Sequence, residues 1–137
     1  MTAVVLSPLS YVKRISYSVD ATIVICRQCC HMKNGQKQTG HELVSAVSKA
    51  AEGTGISVRS VACLGNCQKG LNAALMASDS WSYVFQELDI TNASDLVQGA
   101  NSLAFSEDGQ VNWSQWPLSL KKKLVSQIPA WNSFSEL

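Results

Sequence analysis

Five cysteines fall in two tight groups, Cys26, Cys29 and Cys30 and then Cys63 and Cys67, and each group follows an apolar run rich in β-branched residues. Cysteines used only as small buried hydrophobes would be scattered. Residues 21–25 are apolar and end on Cys26, the pattern of a buried strand. Ile56, Val58 and Val61 alternate with polar residues and lead into Cys63, which predicts a second strand. Between them, a polar loop over residues 33–37 precedes Thr39 and Glu42 at capping-box spacing. Leu43, Val44, Val47, Ala50 and Ala51 then form a helical stripe that stops at Gly53 and Gly55. A strand, helix, strand connection makes the strands parallel and puts both carboxyl ends on one sheet edge. The two cysteine groups are therefore expected to meet.

Residues 72–77 and 81–88 read as a strand pair joined by a short loop, and Asn92 is expected to cap a second helix carrying Leu96, Val97 and Ala100. Asp95 suits the positive end of that helix. The predicted core over residues 21–101 is thus α/β, in the order β-α-β-β-β-α. With 137 residues, 46% of them hydrophobic, the chain can bury one core. Residues 1–20 form an N-terminal segment whose pattern supports only a strand around 15–19. Residues 102–137 read as a docked C-terminal extension: an Asp108-Gly109 turn, tryptophans Trp113, Trp116 and Trp131 expected to clamp it to the core, and a helix from Pro117 with Leu118, Leu120, Leu124 and Val125 on one side.

An odd number of grouped thiols points to metal or redox chemistry in a reducing compartment. Cytoplasmic location is the expectation, since the short apolar patch near Val4 suits neither a signal peptide nor a membrane span. Net charge is +1, with no basic stripe beyond residues 121–123, so nucleic acid is not an expected partner. Iron–sulfur clusters need four soft thiolates on loops that can wrap an anionic core. In Cys63-Leu64-Gly65-Asn66-Cys67 the glycine permits a tight turn and frees backbone N–H groups to face sulfur.

Cys-Leu-Gly-Asn-Cys after a strand, with an earlier cysteine group ahead of a helix, resembles the thioredoxin-like 2Fe–2S ferredoxins and the small 2Fe–2S subunit of respiratory complex I. Over residues 21–130 the chain also resembles a bacterial family of short metal-binding proteins that share Cys-x-x-Cys and the later Asp-Gly and Pro-Leu segments. The resemblance implies a thioredoxin-like fold and a 2Fe–2S cluster on Cys26, Cys29, Cys63 and Cys67. It implies one-electron transfer to a redox partner protein, and the ferredoxins in question often pair as homodimers. The thioredoxin-like ferredoxins space their first two cysteines more widely, so Cys30 stands as an alternative to Cys29.

Zinc is the inorganic rival, because four thiolates in two pairs also make a closed tetrahedral site. A metal- or redox-sensing or metal-handling protein, with zinc or a labile cluster on the same cysteines, is the alternative from another functional class. A disulfide oxidoreductase based on Cys26-Arg27-Gln28-Cys29 is disfavoured, because the helix that would activate a thiolate begins only after Thr39. His31 and His41 are the only histidines, one expected beside the site and one in the first helical turn. Lys33 and Lys37 are expected to lie in a solvated loop on the cluster side. No catalytic triad, phosphate loop or paired-carboxylate pattern stands out, so no enzyme activity is expected of the chain alone.

Overall fold

The computed structural model describes residues 19–133; residues 1–18, which include all but the last position of the strand expected at 15–19, and residues 134–137 lie outside them. Strand β1 (Ala21–Cys26) is the apolar run that ends on the first cysteine. It is followed by a hairpin, β2 (Cys30–Lys33) and β3 (Gln36–Thr39), then by helix α1 (Gly40–Ala50) and strand β4 (Ser57–Val61). Strands β5 (Leu71–Ala77) and β6 (Ser82–Leu88) form the second hairpin, helix α2 (Ala93–Ala104) follows, and a short helix α3 (Leu118–Lys121) leads into strand β7 (Leu124–Ile128).

The main sheet has the order β4-β1-β5-β6-β7, and β2-β3 stands apart as a two-stranded ribbon. β1 and β4 are parallel, as the helical crossover requires, with Cys26 opposite Val61. The ladder continues past both strands: Arg27 N–H donates to the Val61 carbonyl at 2.9 Å and Gln28 N–H to the Ala62 carbonyl at 3.3 Å. β5 runs antiparallel to β1, with Ile25 opposite Ala73, so its first residues lie at the edge where β1 and β4 end.

Helix α1 starts where the sequence predicts. Glu42 N–H donates to Thr39 Oγ1 at 3.2 Å, and Thr39 N–H donates to Glu42 Oε1 at 2.9 Å. Such a cap is worth about 1 kcal/mol. Leu43 and Val47 from α1, Leu96, Ala100 and Leu103 from α2, and Ile23, Ile25, Leu75, Tyr83 and Phe85 from the sheet are all but fully buried together. Each large apolar side chain withdrawn from water in this way contributes about 1.5–3 kcal/mol.

Four local expectations change. The polar stretch 33–37 is a hairpin rather than a loop: Asn34 and Gly35 both have positive φ, 51° and 76°, the combination that reverses two strands within two residues. The tail does not continue one helix through Val125. It stops at Lys121, and Leu124 pairs with Phe85 as β7 extends the sheet. Asn92 precedes α2, but its side-chain oxygen accepts from Asp89 N–H at 2.9 Å instead of capping the helix. Of the three tail tryptophans only Trp116 clamps the core, edge-on to Tyr83 and Phe85 at 4.8 and 5.5 Å between ring centroids. Trp113 and Trp131 are exposed. No helix among the described residues is long and apolar enough to cross a membrane.

Candidate metal centre

Two loops deliver sulfur to the edge where β1 and β4 end. Cys29 Sγ lies 2.9 Å from Cys26 Sγ, and Cys63 Sγ lies 3.2 Å from Cys67 Sγ. The pairs meet where Cys26 Sγ comes within 3.9 Å of Cys67 Sγ. Cys26, Cys63 and Cys67 sulfurs all lie within 4.8 Å of one another, with Cys29 against Cys26 on the protein side. Cys26 and Cys29 are buried, whereas Cys63 and Cys67 face solvent. Cys30 heads β2, exposed, and its thiol is outside the set of sulfurs in mutual contact.

Chain geometry brings the start of α1 nearer to the first cysteine group than the intervening residues suggest. The β2-β3 ribbon closes on itself, Cys30 pairing with Thr39, so the excursion ends where it began. Gly40, the first helical residue, donates its N–H to the Cys29 carbonyl at 2.9 Å. A Cβ on Gly40 would lie 2.1 Å from the Cys26 carbonyl oxygen, so only glycine lets the helix come this close. The N-terminal end of α1 therefore abuts the backbone of the first cysteine group.

The outer loop is shaped for the same purpose. Gly65, at φ +83°, turns its N–H onto Cys63 Sγ at 3.1 Å. After the single helical turn Cys67–Lys69, Gly70 also takes a positive φ, and a Cβ there would meet His31 Nδ1 at 3.1 Å and Glu87 Cα at 3.3 Å. His31 thus sits beside the loop that follows Cys67, while His41 is exposed in the first turn of α1. Lys33 is not a solvated loop cation: its ammonium is 2.7 Å from Asp89 Oδ2 and pins the ribbon to the segment ahead of α2.

Crowded thiols perturb one another. Burial raises Cys26, but the Cys29 thiol, the Leu64 N–H, the Cys67 thiol and the Gln28 N–H outweigh it and hold Cys26 below its ordinary range. Burial, then the Cys26 neighbour, holds Cys29 above it. Cys67, beside Cys63 and Cys29, is pushed up to about 12. Thiols this close give up their protons to a bound cation, which takes the protons' place between the sulfurs. The donor set, all sulfur and backed by N–H groups, fits a thiophilic metal or an iron–sulfur group.

Sequence reasoning passed over Asn72. This residue of β5 is fully buried and donates from Nδ2 toward Cys29 Sγ at 3.4 Å. The available signal was a lone amide inside the apolar run Leu71, Asn72, Ala73, Ala74 and Leu75.

Comparison with known proteins agrees with the fold. A solved structure of a thioredoxin-like [2Fe-2S] ferredoxin from Aquifex aeolicus superposes with a TM-score of 0.54, covering 85% of this chain and all of the ferredoxin, at 10% sequence identity. The likeness is one of fold, and it bears out the α/β thioredoxin-like architecture expected from the sequence. No curated protein matches the chain. The family model described as "Protein of unknown function (DUF1636)" matches residues 23–130, which span both cysteine groups, the sheet and most of the tail. The chain belongs to that DUF1636 family, built on a thioredoxin-like fold.

Proposed function

We propose that the chain holds a 2Fe–2S cluster on Cys26, Cys29, Cys63 and Cys67 and serves as a one-electron carrier rather than an enzyme. One observation carries the reading: four sulfurs from two separate loops stand as two close pairs, 2.9 and 3.2 Å, that touch at 3.9 Å. Each pair suits one iron, and a bound cluster supplies reversible one-electron chemistry. The protein's own residues do the rest. Gly65 N–H at Cys63 and the Leu64 and Gln28 N–H groups at Cys26 stabilise negative charge on sulfur, and burial of Cys26 and Cys29 excludes water from one side of the centre. Exposure of Cys63 and Cys67 leaves the other side open to a redox partner protein. The likeness of fold to a ferredoxin supports the same reading.

Fresh protein is expected to be reddish brown, with iron and acid-labile sulfide in equal amounts, about two of each per chain. It should show a one-electron reduction step. Colourless protein with one zinc per chain would overturn the reading. It would favour a metal-sensing or metal-handling role on the same cysteines, for which the mutual approach of Cys26, Cys63 and Cys67 sulfurs within 4.8 Å already offers a single-ion site.

A further inference from the structure

Asn72 is an expensive residue in its place. An amide is a poor strand former, and a fully buried one is destabilising unless every polar atom has a partner. Here every one does. Its Oδ1 accepts from Asn66 Nδ2 at 2.9 Å. Its Nδ2 faces the Gly70 carbonyl at 2.8 Å, the Asn66 carbonyl at 2.9 Å and Cys29 Sγ at 3.4 Å. Turning the amide over would set Oδ1 against two carbonyl oxygens, so the network fixes which end faces the sulfur. Cys29 Sγ therefore meets a donor and has to act as acceptor. Two hydrogens serve three acceptors, and an electron-rich, metal-bound sulfur competes for them better than a neutral thiol.

The same amide bridges the two cysteine groups. Asn66, directly before Cys67, donates its other N–H to Gln86 Oε1 at 3.0 Å, so the outer loop is tied through Asn66 and Asn72 to the strands under Cys29. We infer that Asn72 is a positioning residue of the metal centre, fixing the electron density on Cys29 sulfur and holding the Cys63–Cys67 loop in register with the first cysteine pair. The inference rests on the reading of Cys29 as a ligand. A hydrogen bond to a ligand sulfur stabilises the more electron-rich state of a metal site, raises its potential and lowers the energy of the sulfur lone pair.

The experiment compares wild type with Asn72→Ala and Asn66→Ala, each checked for folding by circular dichroism. The chain is stripped of metal and titrated with cobalt(II) alone, whose thiolate charge-transfer band reports on the sulfurs whether or not an iron cluster forms. Asn72→Ala is expected to move that band to longer wavelength and to weaken cobalt binding about tenfold. Where the iron form assembles, its reduction equilibrium should fall by up to about tenfold, ~59 mV for a one-electron couple. Asn66→Ala, which removes only the Oδ1 partner of Asn72 and keeps its two backbone carbonyl acceptors, should move the band the same way by less, and it carries the test if Asn72→Ala does not fold. A folded variant with unchanged band and cobalt affinity overturns the inference. Wild type that binds cobalt but assembles no iron–sulfur cluster overturns the electron-carrier reading and leaves the Asn72 result standing.

Discussion

Gly40 has no room for a side chain, since a Cβ would meet the Cys26 carbonyl oxygen at 2.1 Å and Arg27 Cα at 2.7 Å, both backbone atoms that no rotamer change can move. Gly40→Ala is therefore expected to lose at least about 2–3 kcal/mol in urea unfolding, the cost of overpacking. Its metal content per folded chain should also fall, because the clash pushes α1 away from the first cysteine pair. At the adjacent cysteines the expected contrast is sharper. Cys29→Ser should lose the bound metal or cluster, since Cys29 Sγ is one of the sulfurs in contact, whereas Cys30→Ser should keep its full visible spectrum and metal content. A bleached Cys30→Ser protein would move the fourth ligand to that position. The motif made Cys63 and Cys67 legible, and it made Cys26 legible as a strand end. It left Cys29 and Cys30 open because neighbours in a chain point apart in directions set by where the next strand begins, and the polar start of β2 hides that point.

Among the elements, the β2-β3 ribbon has no apolar face of its own and is held by its anchors. Lys33 pairs with Asp89, and Gln38 Oε1 accepts from Ile90 N–H at 2.9 Å. Burial raises the Asp89 carboxyl, but the Lys33 ammonium and the hydroxyl and N–H of Thr91 outweigh it and bring it down to about 2. A carboxyl lowered in the folded state stabilises above its unfolded value near 3.8 and loses that contribution as pH falls through about 2. The contribution is on the order of 1–2 kcal/mol after allowing for the partly exposed lysine. The ribbon is therefore expected to stay docked at neutral pH and to loosen progressively below about pH 4. A lower protection factor against hydrogen exchange at Ile90 in acid, and already at neutral pH in Lys33→Ala, would show this. An Ile90 amide equally protected in both proteins would count against the anchor. Asn34-Gly35 signalled the turn, but the flanking residues lack the alternation that marks strands, so the ribbon read as a loop. β7 was hidden for a related reason: Leu118, Leu120, Leu124 and Val125 satisfy a helical stripe, and only pairing with β6 makes 124–128 extended.

For the whole molecule, Trp116 joins sheet, helix and tail. Its ring lies on Tyr83 and Phe85, and a Cβ on Gly99 of α2 would come within 2.8 Å of it. Trp116→Ala should cost about 3–5 kcal/mol and lower the thermal midpoint by roughly 10 °C or more, read by circular dichroism. Trp113→Ala, with Lys121 over an otherwise exposed ring, should change the midpoint little. Metal is expected to be part of stability as well: because the sulfurs converge only in the folded chain, stripping with a chelator should lower the unfolding midpoint, and resupplying the metal should restore it. The sequence by itself determined that both cysteine groups share a sheet edge, since a helical crossover between two buried strands leaves one handedness and one direction. It also determined where α1 begins, since Thr39 and Glu42 cap it locally. Only the tertiary structure decided which sulfurs touch, that α1 returns to the cysteines through a closed ribbon, and that a buried amide from β5 faces Cys29. Each of these is a distance between residues far apart in the chain, set by packing that no local pattern encodes.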